Sequence, residues 1–129
     1  LIISSGYYNQ KAKKIKAMVE FLNSGKELTR ENLLNVWGIG PETADSILLY
    51  AYEQPVFVID AYTKRIMKRL GFKQETYEEL QKLFHKSLSK DYKLFNEYHA
   101  LLLKLAKEKC KSKPICNSCP IYNLCEKKI

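Results

Sequence analysis

Four cysteines stand in the last twenty residues of this chain, at 110, 116, 119 and 125, and none in the preceding 109. The pattern C-x5-C-x2-C-x5-C confines the tail to a tight loop, because four thiolates this close can enclose one tetrahedral metal or the corners of one [4Fe–4S] cluster. Zinc sites more often use two C-x2-C pairs on opposed knuckles, and only Cys116 and Cys119 make such a pair here. On spacing alone, cluster and zinc stand level. A secreted disulfide scaffold spreads its cysteines through the fold, so the clustering points to a reducing compartment, the cytosol or the nucleoid.

The rest of the chain reads as helical. Five glycines and four prolines in 129 residues are too few for a turn-rich all-β fold. Residues 9–23 carry Ala12, Ile15, Val19 and Leu22 at the spacing of an amphipathic helix, with Met18 beside them and lysines opposite. Thr29 is a candidate N-cap for a short second helix holding Leu33, Leu34 and Val36. A third helix is predicted over 41–52, burying Ala44, Ile47, Leu48 and Ala51, and further helices over 61–70, 76–88 and 92–109. Val56-Phe57-Val58-Ile59 has the apolar run of a strand but no partner strand, so it is read as a buried extended connector. The expected architecture is all-α, in one compact domain or two small lobes.

Lysine and arginine total 22 against 14 acids, a net charge of +8. Such an excess favours a polyanionic partner, since each neutralised phosphate releases counterions. An anionic membrane surface is the competing reading of the charge, which alone does not separate the two. No stretch approaches the roughly 20 apolar residues of a membrane span, and no signal peptide opens the chain; the partner expected is nucleic acid, with no membrane. Leu1 in place of an initiator methionine suggests a missing upstream portion.

Gly38-Ile39-Gly40 joins two predicted helices, and Pro41 suits the first turn of the second. Glycines there let backbone amides approach a ligand, and the helix dipole favours a phosphate oxygen at the same spot. A plain helix–helix turn is the commoner meaning of an isolated G-x-G. Glu42 fits the dipole but would repel a phosphate on its own side. Asp60 follows four apolar residues and precedes a helix carrying Lys64, Arg65, Lys68 and Arg69. Its default role is an N-cap. A carboxylate at a buried exit beside cations can also stabilise charge on a sugar or orient a water. His85 and His99 lack companion ligands and read as packing or surface residues.

Taken in order, GYYNQKAKKI at 6–15, LLNVWGIGPETADSILLYA at 33–51, VFVIDAYTKRIMKRLG at 56–71 and the cysteine module resemble the endonuclease III family of helix-hairpin-helix DNA glycosylases. The resemblance implies part of a helical barrel with the hairpin at 33–51 and the aspartate segment at 56–71, within 1–72. A C-terminal helical lobe over 73–129 would then hold the cysteine loop at 110–125. It implies a catalytic role for Asp60 and DNA contacts from Gly38, Ile39, Gly40, Lys64 and Arg65, with a monovalent cation able to assist at the hairpin. It also raises the [4Fe–4S] cluster above zinc as the occupant of Cys110, Cys116, Cys119 and Cys125. Enzymes of this kind flip a damaged nucleotide out of the duplex before cutting its N-glycosidic bond.

Four departures refine the expectation. Glu42 occupies the place where strand-cleaving members carry a lysine nucleophile, and a carboxylate cannot form a Schiff base. Trp37 stands where those members often have proline. The first cysteine spacing is one residue shorter than the family's common one, and the family's opening helices, which supply the residues that wedge into the duplex, are missing. The segments around the hairpin and Asp60 look most like the 3-methyladenine DNA glycosylase III branch. The expectation is therefore a monomeric, monofunctional glycosylase acting on double-stranded DNA with damaged bases. It would release alkylated purines by Asp-assisted hydrolysis, with no β-lyase step. The alternatives are a glycosylase for oxidised or mismatched bases and, for the fragment, a non-catalytic DNA-binding module.

Overall fold

The structure is a computed structural model describing residues 8–129. Residues 6 and 7 of the GYYNQKAKKI segment lie outside the described residues. Among the described residues, every regular element is helical. The order is α1 Tyr8–Asn23, α2 Arg30–Leu34, α3 Pro41–Ser46 running into a π-helical turn Ile47–Ala51, α4 Ala61–Leu70, α5 Tyr77–Ser87, α6 Tyr92–Glu108 and a 3-10 turn Tyr122–Leu124. The chain divides into two compact units, Leu1–Ile47 and Leu48–Ile129. Residues 48–72, the aspartate segment included, fall with the C-terminal helices.

In the first unit α1 buries Phe21 and half-buries Ala17 and Met18, whereas Ile15, Val19 and Leu22 remain about half exposed. The helix thus presents a different stripe from the expected one. Positions 17, 18 and 21 also follow helical spacing, and theirs is the stripe that carries the bulky Phe21. Thr29 caps α2 as expected, its hydroxyl accepting from the Asn32 amide at 3.1 Å. Arg30 and Asp45 then tie α2 to α3. Asp45 is fully buried and receives Nε and Nη2 of Arg30 at 2.7 and 3.1 Å on its two oxygens. This two-point, charge-assisted pair sets the separation of the two helices across the intervening turn.

The core of the second unit gathers Leu49, Phe57, Val58, Ile59, Ile66, Met67, Leu80, Phe84, Phe95, Leu102 and Ala106. Phe57 stacks on Phe84 with centroids 4.0 Å apart and meets Phe95 edge-on at 5.4 Å. Residues 56–59 belong to no helix and, among the described residues, no strand pairs with them, as the sequence leads one to expect. Buried peptide groups must still find partners, and side chains supply them here. The Phe57 amide donates to His85 Nε2 and its carbonyl accepts from Gln81 Nε2, both at 2.9 Å.

The helix over 41–52 differs from expectation in register. It is α-helical only to Ser46 and then widens into the π turn. The wider turn rotates later side chains backwards around the axis, so Leu49 is buried where Ala51 was expected, and Ala51 faces solvent. Helices α4, α5 and α6 match their predicted spans to within a residue at each end. Gly71 closes α4 in the left-handed region at φ 108°, with the Phe72 amide reaching back to Met67 O. Thr76 and Glu79 close a reciprocal capping box on α5.

Replacing Arg30 with Ala leaves the buried Asp45 charge without its main partner. Urea unfolding should show a loss of about 3 kcal/mol, near the low end for a broken buried pair because Arg30 is partly in water.

Candidate active site and cysteine pocket

Asp60 is delivered by the buried run before it. Phe57, Val58 and Ile59 are each at most 1% exposed, so the chain emerges from the core with Asp60 itself only 9% exposed. The residue caps α4, its Oδ1 accepting the Thr63 amide at 2.7 Å. The default N-cap role is therefore real. It does not exclude a chemical one, because a capping carboxylate has lone pairs to spare. Its Oδ2 lies 3.0 Å from His99 Nε2, on α6.

His99 is the site residue that sequence reasoning assigns to ordinary packing. It is buried, yet it contacts the aspartate rather than apolar neighbours alone. A lone histidine in an apolar helix pattern gives no sign of which loop it will meet. Its partner lies 39 positions away. Burial by itself would raise the Asp60 pKa, but the hydrogen bonds from His99 and from Thr63 outweigh it and hold the carboxyl below the ordinary aspartate value.

The cations around Asp60 separate into two kinds. Lys64 is exposed on α4. Arg65 donates Nε to Cys110 O at 2.9 Å and Nη2 to Ala106 O at 3.2 Å. Its planar fork suits carbonyls at a helix end, and there it braces the start of the cysteine loop. Arg69 does similar work, bonding to Lys111 O at 2.5 Å and to Ser112 O at 3.1 Å.

In the first unit, Gly38 adopts φ 81°, a conformation that disfavours any side chain, and both Gly38 and Gly40 are exposed. Ile39 behaves differently. It is buried and its amide donates to Val36 O at 3.1 Å, so it anchors the turn from within rather than offering its amide outward. Glu42 lies exposed in the first turn of α3.

The four cysteines, all free thiols and all partly buried, line one pocket with Ile66, Leu70, Pro114, Ile115 and Ile121. Arg69 Nη1 and the Lys127 amide each point at a sulfur, of Cys110 and Cys125 respectively, at 3.3 Å. Such donors suit sulfurs that carry negative charge. Among the described residues no three His, Cys, Asp or Glu side chains converge as a single ion requires. A cubane places its ligand sulfurs farther apart than one ion does, around a common centre.

Because the Asp60 pKa is lowered, its contribution to stability is fully present above the ordinary aspartate value and is lost as pH falls through the lowered one. Stability measured against pH should therefore fall at the acid end in the parent chain. The Asp60→Asn variant should lose part of that dependence.

The family pattern described as "HhH-GPD superfamily base excision DNA repair protein" matches residues 1–90. A Methanocaldococcus jannaschii protein named as a candidate DNA repair glycosylase is 42% identical over 140 residues, covering 97% of this chain and 64% of its own length. Among solved structures, a non-covalent endonuclease III–DNA complex superposes with a TM-score of 0.80 at 27% identity, over 95% of this chain and 59% of that one. The Helicobacter pylori 3-methyladenine DNA glycosylase bound to 1,N6-ethenoadenine gives 0.68 at 32% identity, over 80% of this chain and 58% of the other. The chain spans about three fifths of the length of the relatives it matches, 64% of the Methanocaldococcus jannaschii protein and 61% of the endonuclease III of Thermotoga maritima. A hairpin with a left-handed glycine, a buried aspartate heading a helix and these likenesses agree: the chain belongs to the HhH-GPD superfamily of base excision DNA repair proteins.

Proposed function

We propose that the parent protein is a monofunctional DNA glycosylase for alkylated purines, with Asp60 as its catalytic carboxylate. The observation that carries this reading is the ionised, nearly buried Asp60 fixed at the head of α4 by the Thr63 amide and His99. A fixed negative charge in a site of low dielectric stabilises the oxocarbenium-like sugar that forms as the base departs, and can steer a water to the anomeric carbon. N-alkylated purines are cationic and leave readily, so the site needs little general acid. Glu42, in place of a hairpin lysine, offers no amine for a covalent step. The likeness to a 3-methyladenine glycosylase supports the same substrate class.

The backbone at Gly38 and Gly40 would hold a phosphate of the damaged strand, with a monovalent cation able to assist, and Lys64 would add charge. Cys110, Cys116, Cys119 and Cys125 would hold a [4Fe–4S] cluster. The shared pocket and the donors aimed at two of its sulfurs support this. Such a cluster supplies a covalent cross-brace to a tail with little core of its own. We read the protein as a monomer of the cytosol or nucleoid.

A glycosylase for oxidised or mismatched bases is the second reading. With full-length protein on duplexes carrying single lesions, methylated purines should be released and oxidised pyrimidines left intact. Asp60→Asn should lower release by about a hundred- to a thousandfold, the scale of removing a key electrostatic stabiliser, while DNA affinity stays within a few-fold. Borohydride trapping should yield no protein–DNA adduct, and a trapped adduct would overturn the monofunctional assignment. Metal analysis should find iron and sulfide in the sample; zinc alone would overturn the cluster.

A further inference from the structure

Behind Asp60 stand two side chains that the proposed chemistry has not yet used. Tyr50 Oη lies 2.5 Å from His99 Nδ1, and His99 Nε2 lies 3.0 Å from Asp60 Oδ2. Three titratable groups from three elements therefore join in one line: the π-helical turn, α6 and the head of α4. We propose that Tyr50 and His99 are positioning residues for Asp60, His99 donating from Nε2 to Oδ2 and Tyr50 donating to Nδ1. The proposal rests on the glycosylase reading of Asp60 and adds how that carboxylate is aimed.

The roles of donor and acceptor follow from the ends of the line. An ionised carboxylate only accepts, so the imidazole nitrogen facing it must carry hydrogen. A neutral imidazole then has a bare Nδ1, and the phenol is the group in reach that can donate to it. Burial, and then the charge of Asp60, raise the Tyr50 pKa and keep that phenol protonated. The Thr63 amide alone would hold one carboxylate oxygen and leave the other free to swing. The second bond, from His99, fixes the plane of the group. Tyr50 is 49% exposed and His99 only 7%, so the line runs from the surface inward to the carboxylate. The π turn acquires a reason as well, since Tyr50 belongs to it.

The test uses full-length protein and reads two things. Nitrogen NMR should show His99 as the neutral Nε2–H tautomer at neutral pH, with the Nδ1 resonance shifting in Tyr50→Phe. Base-release kinetics should show kcat about ten- to a hundredfold lower in His99→Leu, the effect of losing a hydrogen bond to a charged group, with KM little changed. His99→Gln, whose amide can still donate to Oδ2, should recover most of the loss. A His99 found as the Nδ1–H tautomer, an unchanged kcat in His99→Leu, or a Gln variant as impaired as the Leu one would each overturn the proposal. Base release that survives Asp60→Asn would instead remove Asp60 from the proposed chemistry, while the His99 resonances still decide the hydrogen-bonded line.

Discussion

The second unit depends on burying a piece of non-helical backbone that, among the described residues, pairs with no strand. Residues 57–59 run through the core, and their peptide groups lie away from water. His85 and Gln81, both from α5, bond the two faces of Phe57 as a paired strand would. The aromatic stack of Phe57 on Phe84 comes from the same helix. One helix thus supplies both the polar and the apolar partners of the segment, and the next residue emerges as a fixed carboxylate. The direction of Asp60 is a consequence of that burial.

Helix α4 joins this carboxylate to the cysteine loop. Its first residue follows the cap, its buried face carries Thr63, Ile66 and Met67, and Arg65 and Arg69 turn toward the carbonyls at the end of α6 and in the loop beyond. The loop has few apolar residues to bury, so these bonds and the shared thiol pocket define its path. The same bonds temper the reading of charge. Part of the +8 excess is internal. Arg30 pairs with Asp45, and the two α4 arginines hold main-chain oxygens. The cations left for a polyanion are mainly lysines, whose flexible point charges suit phosphate contacts without base specificity.

Much of the fold is written in local pattern. Thr29, Asp60, Thr76 and Gly71 mark helix ends because capping requires only neighbours in sequence. The spans of α4, α5 and α6 follow from apolar spacing, and the connector at 56–59 from a hydrophobic run too isolated to pair. Hairpin, aspartate and cysteines were visible as an ordered set, and that order sufficed to indicate the family.

What the sequence by itself determined, then, was where helices begin and end and which residue types could do chemistry. Only the tertiary structure decided how distant groups meet. It brought His99 to Asp60 and Tyr50 to His99, joined Arg65 to the cysteine loop, and put Phe21 rather than Ile15 and Val19 on the buried face of α1. It also moved burial from Ala51 to Leu49 through one widened turn. Each of these depends on contacts between residues far apart in the chain, or on a change of helical period that no local spacing encodes. The physical reason is the range of the forces: a cap closes within four residues, whereas a buried polar group takes whichever partner the packed core leaves within reach.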